Sequence, residues 1–360
     1  MRTEDKVAFL RDPASYPGRV RRVEVIETHF AWVFLTERHA YKMKKPIRQD
    51  VMDHRSLEAR ERGCRDEVRL NRRLAPRVYL GVVPLVRRNG RLALGGKGDI
   101  TDWLVKMRRL PRHGMLDHIL QERSLTDSEL RRLCRRLARF FAEAQPEPWQ
   151  PDAYVSRVQR QISRNRRELK RAGRRIRARL VEGVIRKQRE FIVRARALLA
   201  ARGPRVVDGH GDLKAEHVFM GPPVSVIDCV EFDRNLRLLD PIEELAFLAL
   251  EIERLGHEPL VHALMRTFRE AGGGGVSDAL LSFYMSHRAA TRAKLAVWHL
   301  WDPQFADARP WTERANSYLA DADRYVRRAL ASLGEPGTRG PRARRDTRPE
   351  LAGAVGTYRR

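Results

Sequence analysis

The chain has 360 residues, 42% hydrophobic and 33% charged, with a formal net charge of +26 at pH 7. That length allows roughly two domains or one large two-lobed unit, and the apolar fraction excludes a chain disordered throughout. No apolar run approaches the ~18 residues of a membrane span, and MRTEDKVAFLRDPASYPG lacks the apolar segment of a signal peptide.

From the N-terminus, RVEVIETHFAWVFL (22–35) is rich in β-branched and aromatic residues and predicts a strand. TERH turns the chain, AYKMKK returns it, and Pro46 ends the hairpin. Ser56 to Leu74 predicts a helix capped by Ser56, with Glu58 and Glu61 near its start and Pro76 closing it. VYLGVVPLVRR, RLALGG and DWLVKMRRLP predict further strands, the last ended by Pro111. Residues 1–110 therefore read as a small, mostly β unit with one helix.

Residues 111–333 read as helical. Thr126 to Ala144 carries Leu130, Leu133, Leu137 and Phe141 on one face. Residues 153–202 predict two long arginine-rich helices, broken near Gly173 and Gly183. Asp240 to Leu255 predicts an apolar helix ended by Gly256, and 277–300 and 311–332 predict two more. Residues 334–360 are rich in Gly, Pro and Arg without periodicity, the composition of a disordered basic tail. Cys64, Cys134 and Cys229 are widely spaced and odd in number, which predicts free thiols in a reducing cytoplasm.

The chemistry concentrates in HGDLKAEH, residues 210–217. Phosphoryl transfer to a hydroxyl needs a carboxylate to orient the acceptor and take its proton, and metal ligands to offset phosphate charge. A kinase catalytic loop sets its aspartate and a metal-binding asparagine five positions apart, and Asp212 and His217 have that spacing. Asp228 ends the apolar strand VSVID, where a magnesium-binding aspartate belongs. Lys214, two residues beyond Asp212, is close enough to offer its charge to the moving phosphoryl group.

With IDCVEF (227–232) and LDPIEELAFL (239–248), this loop resembles the aminoglycoside phosphotransferase-like branch of the protein-kinase-like superfamily. WVFL (32–35), AYKMKKP (40–46), LNRRLAP (70–76) and RAATRAKL (288–295) are most similar to a bacterial subgroup of uncharacterised predicted kinases, some fused to a P-loop ATPase domain. The resemblance covers roughly residues 20–300. It implies a two-lobed α+β protein-kinase-like fold with a β-rich N-lobe and a larger helical C-lobe. It implies Lys42 as the nucleotide lysine on its strand, with Lys44 as the alternative, and Glu67 on the next helix as that lysine's partner. Glu61 and Asp66 compete for the partner's place. Asp212 would be the catalytic aspartate and Asp228 the metal aspartate, and Met107 to Leu110 would form the hinge beside the adenine.

Two departures stand out. Thr28-His29-Phe30-Ala31 occupies the place of the glycine-rich loop. His217 stands where the pattern has an amide, and imidazole suits transition metals better than magnesium. Other motifs fail: Gly272 to Gly275 lacks a following G-K-[ST], and no H-E-x-x-H, C-x-x-C or G-x-S-x-G occurs.

The expectation is a cytoplasmic phosphotransferase that uses ATP, or GTP, with Mg2+, or Mn2+, on a hydroxyl of a small molecule. In this branch the helices between hinge and catalytic loop line the acceptor pocket. Here they are basic (SRVQRQISRNRRELKRAGRRIRARL), which favours an anionic acceptor over a cationic aminoglycoside. His217 and the missing glycine loop motivate an alternative, a non-catalytic nucleotide-binding regulator. The basic helices and tail motivate another, a protein that contacts nucleic acid without sequence preference, since few aromatics are available for base stacking.

Overall fold

The structure is a computed structural model that describes residues 2–49, 52–301 and 307–334. Helix α1 (Thr3–Arg11) leads into strands β1 (Glu24–Glu27), β2 (Ala31–Leu35) and β3 (His39–Lys44). The expected first strand is thus two strands, because Thr28 closes a turn: its hydroxyl donates to the Ala31 carbonyl at 2.9 Å and accepts from the Ala31 amide at 3.0 Å. A two-rung hairpin, β4 (Arg48–Gln49) and β5 (Met52–Asp53), precedes helix α2 (Leu57–Asn71). Ser56 caps α2, its hydroxyl accepting from the Ala59 amide at 3.1 Å. Strands β6 (Tyr79–Arg88), β7 (Arg91–Leu94) and β8 (Asp99–Arg108) complete an antiparallel sheet in the order β1-β2-β3-β8-β6-β7.

Alternation along β3 decides what each face of this sheet does. Tyr41 and Met43 point into one apolar layer with Leu10 of α1, Phe34, Leu85 and Leu104. Ala40 points into the opposite layer with Cys64 and Val68 of α2, Val105 and Met107. Asp102 of β8 pins both helices: Lys6 Nζ lies 2.7 Å from its Oδ2 and Arg60 Nε 2.7 Å from its Oδ1. The helix α1 was not foreseen from the sequence.

The chain then becomes helical: α3 (Leu116–Glu122), α4 (Asp127–Glu143), α5 (Pro151–Arg171), α6 (Ala178–Arg194) and α7 (Arg196–Ala200). The break at Gly173, with φ +57°, is real, but α6 runs straight through Gly183. One glycine costs a helix interior only about 1 kcal/mol, and the buried face of Val181, Val184, Ile185 and Phe191 outweighs it. Short strands β9 (Val207–Asp208), β10 (Val218–Phe219), β11 (Ser225–Val226) and β12 (Leu238–Leu239) bracket the polar loops. They pair β9 with β12 and β10 with β11. Helices α8 (Pro241–Arg254), α9 (Glu258–Phe268), α10 (Asp278–Trp298) and α11 (Arg309–Ala331) finish the lobe; α3, α9 and the β4–β5 hairpin, like α1, were not read from the sequence. A single apolar core joins α4, α5, α6, α8, α10 and α11. Helices α5 and α6 turn their apolar faces into it and most of their arginines outward. Cys64, Cys134 and Cys229 are buried and free.

Among the described residues, no helix is long and apolar enough to cross a membrane. The expected basic tail, apart from Gly334, lies outside the described residues.

Candidate active site

The polar residues of β3 meet one acid of α2. Lys42 Nζ lies 2.9 Å from Glu67 Oε1, and Lys44 Nζ lies 2.6 Å from Glu67 Oε2. Glu67 is fully buried, whereas Glu61 and Asp66 turn outward and pair with Arg65 and Arg69. Lys42 also reaches across to the helical lobe, 2.8 Å from Asp228 Oδ1, and Lys44 pairs with Glu231. Burial disfavours both ammonium ions, but Asp228, Glu231 and Glu67 outweigh it and raise both lysines above the ordinary range. The same lysines overcome the effect of burial on Glu67 and keep its carboxyl low.

The loop 208–217 is held from below. Glu244 of α8 accepts from the His210 amide at 2.8 Å and from the Gly211 amide. Glycine is required twice here. A Cβ on Gly209 would come within 2.8 Å of Glu244 Oε1; Gly211 has φ +90°, and its Cβ would meet Val230 Cγ2 at 3.0 Å. The buried ring of His210 bonds the Ile227 carbonyl through Nε2 at 2.9 Å, tying this loop to the turn that carries Asp228. Arg73, at the end of α2, donates to the Asp208 carbonyl at 2.7 Å and the Gly209 carbonyl at 2.6 Å. Asp240 caps α8 through the Ile242 amide at 3.1 Å and takes both arms of Arg202, at 2.6 and 2.7 Å.

Within this frame Asp212 faces Lys214, whose Nζ is 3.4 Å from Oδ2 and which also pairs with Glu216. Burial pushes the Asp212 carboxyl up, but Lys214 and His217 more than reverse this, so it stays low and ionised at neutral pH. Asp228 has φ +61°, a left-handed conformation that aspartate tolerates better than most side chains. Two side chains of the sheet lobe support it: the Asp228 amide donates to Tyr79 Oη at 3.1 Å, and the Cys229 amide donates to Asn71 Oδ1 at 2.9 Å. Burial opposes its ionisation too, but Lys42 and His217 hold the Asp228 carboxyl far below the usual range.

His217 joins the two aspartates. Its Nδ1 is 3.0 Å from the Asp212 carbonyl oxygen, which can only accept, so Nδ1 carries the hydrogen. In the neutral ring Nε2 then presents a lone pair 3.5 Å from Asp228 Oδ2. A proton on Nε2 makes this contact an ion pair; with the ring neutral, a divalent ion between the two atoms would do the same, with Asp228 Oδ2 and His217 Nε2 as its protein donors and the rest of its shell left to phosphate and water. Among the described residues, no group of three His, Cys, Asp or Glu side chains is arranged to hold a metal alone.

Met107 lies buried on β8 and pairs in register with Ala40. Leu110 follows where β8 leaves the sheet, and with Val33, Leu35 and Ile227 it packs on the apolar layer around Ala40 and Met107. Phe30, in the turn at the glycine-loop position, sits 6.1 Å from the ring of Phe232. Sequence reading missed Tyr79, Asn71 and Glu244, which bond main-chain amides of the loops, and Arg73, which bonds two loop carbonyls and also reaches the Asp208 carboxylate at 3.4 Å and Cys229 Sγ at 3.3 Å.

Glu244 yields a pH prediction. Burial pushes its carboxyl up to about 7, against the pull of the Gly211 and His210 amides. Folding therefore takes up a proton between the unfolded value near 4.3 and about 7. Its contribution to stability is full below the unfolded value and is lost as pH rises through the folded one. At about 1.4 kcal/mol per unit, the unfolding free energy of wild type relative to Glu244→Gln is expected to fall by a few kcal/mol as pH rises across that window. Urea titrations at a series of pH values measure it; a pH-independent difference would contradict the assignment.

No family model matches the chain. It is 32% identical over 327 residues to uncharacterised proteins of Mycobacterium tuberculosis and Mycobacterium bovis, a match covering 88% of this chain and 63% of each relative. The chain thus spans less than two thirds of the length of the curated relatives it matches. Among solved structures, a choline/ethanolamine kinase family protein from Mesorhizobium loti aligns with a TM-score of 0.53 at 16% identity, over 92% of this chain and 99% of that one. The GDP complex of wild-type aminoglycoside 2'-phosphotransferase-IIIa aligns with a TM-score of 0.53 at 12% identity, over 90% of this chain and 99% of that one. With its antiparallel sheet set against a helical lobe, the chain has the two-lobed α+β protein-kinase-like fold of the aminoglycoside phosphotransferase and choline/ethanolamine kinase proteins.

Proposed function

We propose that the chain is a phosphotransferase of the cytoplasm that moves the γ-phosphoryl group of ATP to a hydroxyl of a small molecule. The observation that carries this reading is the meeting of Lys42, Glu67, Asp228, His217 and Asp212 across the two lobes. GTP is the alternative donor, since one structural neighbour was solved with GDP.

In this reading Lys42 leaves Asp228 to bind the α- and β-phosphates, while Glu67 keeps it aimed into the cleft. Lys44, paired with Glu67 and Glu231, supports that geometry and is the second candidate for a phosphate contact. Met107 to Leu110 offer backbone groups to the base. Asp228 and His217 would hold a divalent metal, which when bound would supply charge neutralisation to the phosphates. Asp212 orients the acceptor hydroxyl and takes its proton as the oxygen–phosphorus bond forms. The bond from the γ-phosphorus to the β,γ-bridging oxygen breaks, and the nucleoside diphosphate leaves. Lys214 offers charge to the transferring group. Positioning and charge compensation do most of the work.

A second reading, a nucleotide-binding regulator without turnover, is favoured by the imidazole at position 217 and by the Thr28–Ala31 turn that replaces a glycine-rich loop. Metal dependence separates the two. His217→Asn is expected to move the preference of ATP hydrolysis from manganese toward magnesium, because an amide oxygen suits the harder ion. Hydrolysis rates with each metal test it, and an unchanged ratio would remove His217 from the metal. No metal-dependent hydrolysis in wild type, with nucleotide still bound, would favour the regulator. Any nucleic-acid contact through the exposed arginines of α5 and α6 would be sequence-independent and would fall steeply with salt.

A further inference from the structure

Beside the loop that carries Asp212, arginines converge on one buried carboxylate. Glu243 of α8 receives Arg288 of α10, Nη2 to Oε1 at 3.3 Å, and Arg157 of α5, Nη1 to Oε2 at 3.7 Å. His287 Nδ1 stands 3.8 Å from the same Oε1. One turn along α10, Arg292 shares the ring of Phe247 with Arg288, their guanidinium carbons 5.6 and 5.7 Å from its centroid. Glu243 is followed on α8 by Glu244, which accepts from the His210 and Gly211 amides, so the cluster adjoins the catalytic loop, and Arg292 is among the charges that lower the Asp212 carboxyl.

Its hydrogen bonding is incomplete. Arg157 is 7% exposed, yet neither terminal nitrogen has an acceptor within hydrogen-bond distance. Nε of Arg288 and of Arg292 and Nε2 of His287 are also buried without a partner. Buried guanidinium donors left unpaired are costly, and folded proteins rarely gather several in one place without something to fill them. Glu243 is a single negative charge facing Arg157 and Arg288 together, while Arg292, over the rings of Phe247 and Tyr318, has Glu251 and Asp212 as neighbouring charges. Around Glu243 the surplus is positive, and forked guanidinium donors match the oxygens of phosphate and carboxylate.

We propose that Arg157, Arg288 and Arg292 bind an oxyanion group, phosphate or carboxylate, carried by the acceptor, so that its hydroxyl is presented to Asp212. The proposal rests on the phosphotransferase reading and narrows the acceptor to an anionic alcohol. The arginines of the outward faces of α5 and α6 are not part of it.

The test occupies the nucleotide site with Mg·ADP and titrates the whole chain, at constant ionic strength, with inorganic phosphate, with acetate and with chloride. Calorimetry is expected to show saturable binding of phosphate or acetate and none of chloride. Arg288→Gln and Arg292→Gln should each weaken it about tenfold or more, the scale of a charge-assisted hydrogen bond, with ADP affinity unchanged. Arg157→Lys keeps charge and most of the volume but loses the fork; it should weaken the oxyanion too, and it guards against variants that fold poorly. Arg132→Gln, on the exposed face of α4, is the control for the general positive field. Saturation by phosphate alone assigns a phosphorylated acceptor, and saturation by acetate alone a carboxylate. Absent saturable binding, or binding that the α10 variants leave unchanged or that Arg132→Gln weakens equally, would overturn the proposal. Failure to bind ADP would instead sink the phosphotransferase reading, and the same titration without nucleotide would still decide the arginine site.

Discussion

Asp212→Asn is expected to lower metal-dependent ATP hydrolysis by about 10²–10⁴-fold, the usual contribution of a general base, while nucleotide affinity stays within a few-fold of wild type. The asparagine fills the same space and can still hydrogen-bond a hydroxyl or water, but it cannot take the proton. Lys214 and His217 keep the Asp212 carboxyl low against its burial, so the wild-type group is charged and ready to accept at neutral pH. Lys42 and Asp228, which this reading assigns to phosphates and metal, pair with one another at 2.8 Å and do not depend on Asp212. Single-turnover and steady-state hydrolysis, measured beside nucleotide affinity, separate the two effects. Hydrolysis that persists unchanged in Asp212→Asn would show that another group takes the proton.

The second large effect is on stability. Glu67→Gln removes the charge between two buried ammonium groups, at 2.9 Å from Lys42 and 2.6 Å from Lys44. Lys42 and Lys44 would then repel across the vacated charge, with only Asp228 and Glu231 to offset them. Breaking a buried pair in this way costs roughly 3–5 kcal/mol. The expected loss in unfolding free energy is about that size, against near zero for Glu61→Gln, whose partner Arg65 is on the surface. The double variant Lys44→Met with Glu67→Gln should recover part of the loss, since it removes one of the two facing ammonium groups and leaves Lys42 paired with Asp228, although Glu231 then loses its lysine. A loss below about 1 kcal/mol for Glu67→Gln would mean that the lysines do not need this acid.

Much of this arrangement was legible in the sequence, because the decisive residues lie on elements whose period is strong. The β-branched and aromatic run 22–35, the returning AYKMKK that carries Lys42 and the capped helix that carries Glu67 were each readable as strand or helix, although the first run proved to be two strands. Alternation along β3 then put Lys42 and Lys44 on one face. What distinguished Glu67 from Glu61 and Asp66 was not periodicity but burial, which only packing decides. The break expected at Gly183 failed because glycine's helix penalty is small beside a buried face of Val181, Val184 and Phe191. The supports Tyr79, Asn71 and Glu244 were invisible for another reason. They act by bonding main-chain amides of Asp228, Cys229, His210 and Gly211, and such contacts leave no pattern in neighbouring residues. Arg157 sits in a run of arginines of which most face solvent, so composition could not mark the one that turns inward.

The most direct measurement is calorimetric binding of Mg·ATP to wild type and to Asp228→Ala. The account predicts saturable, metal-dependent binding of one nucleotide to wild type, weakened at least about tenfold by the loss of one charged contact in Asp228→Ala. A wild-type chain that binds neither ATP nor GTP, with magnesium or with manganese, would contradict it.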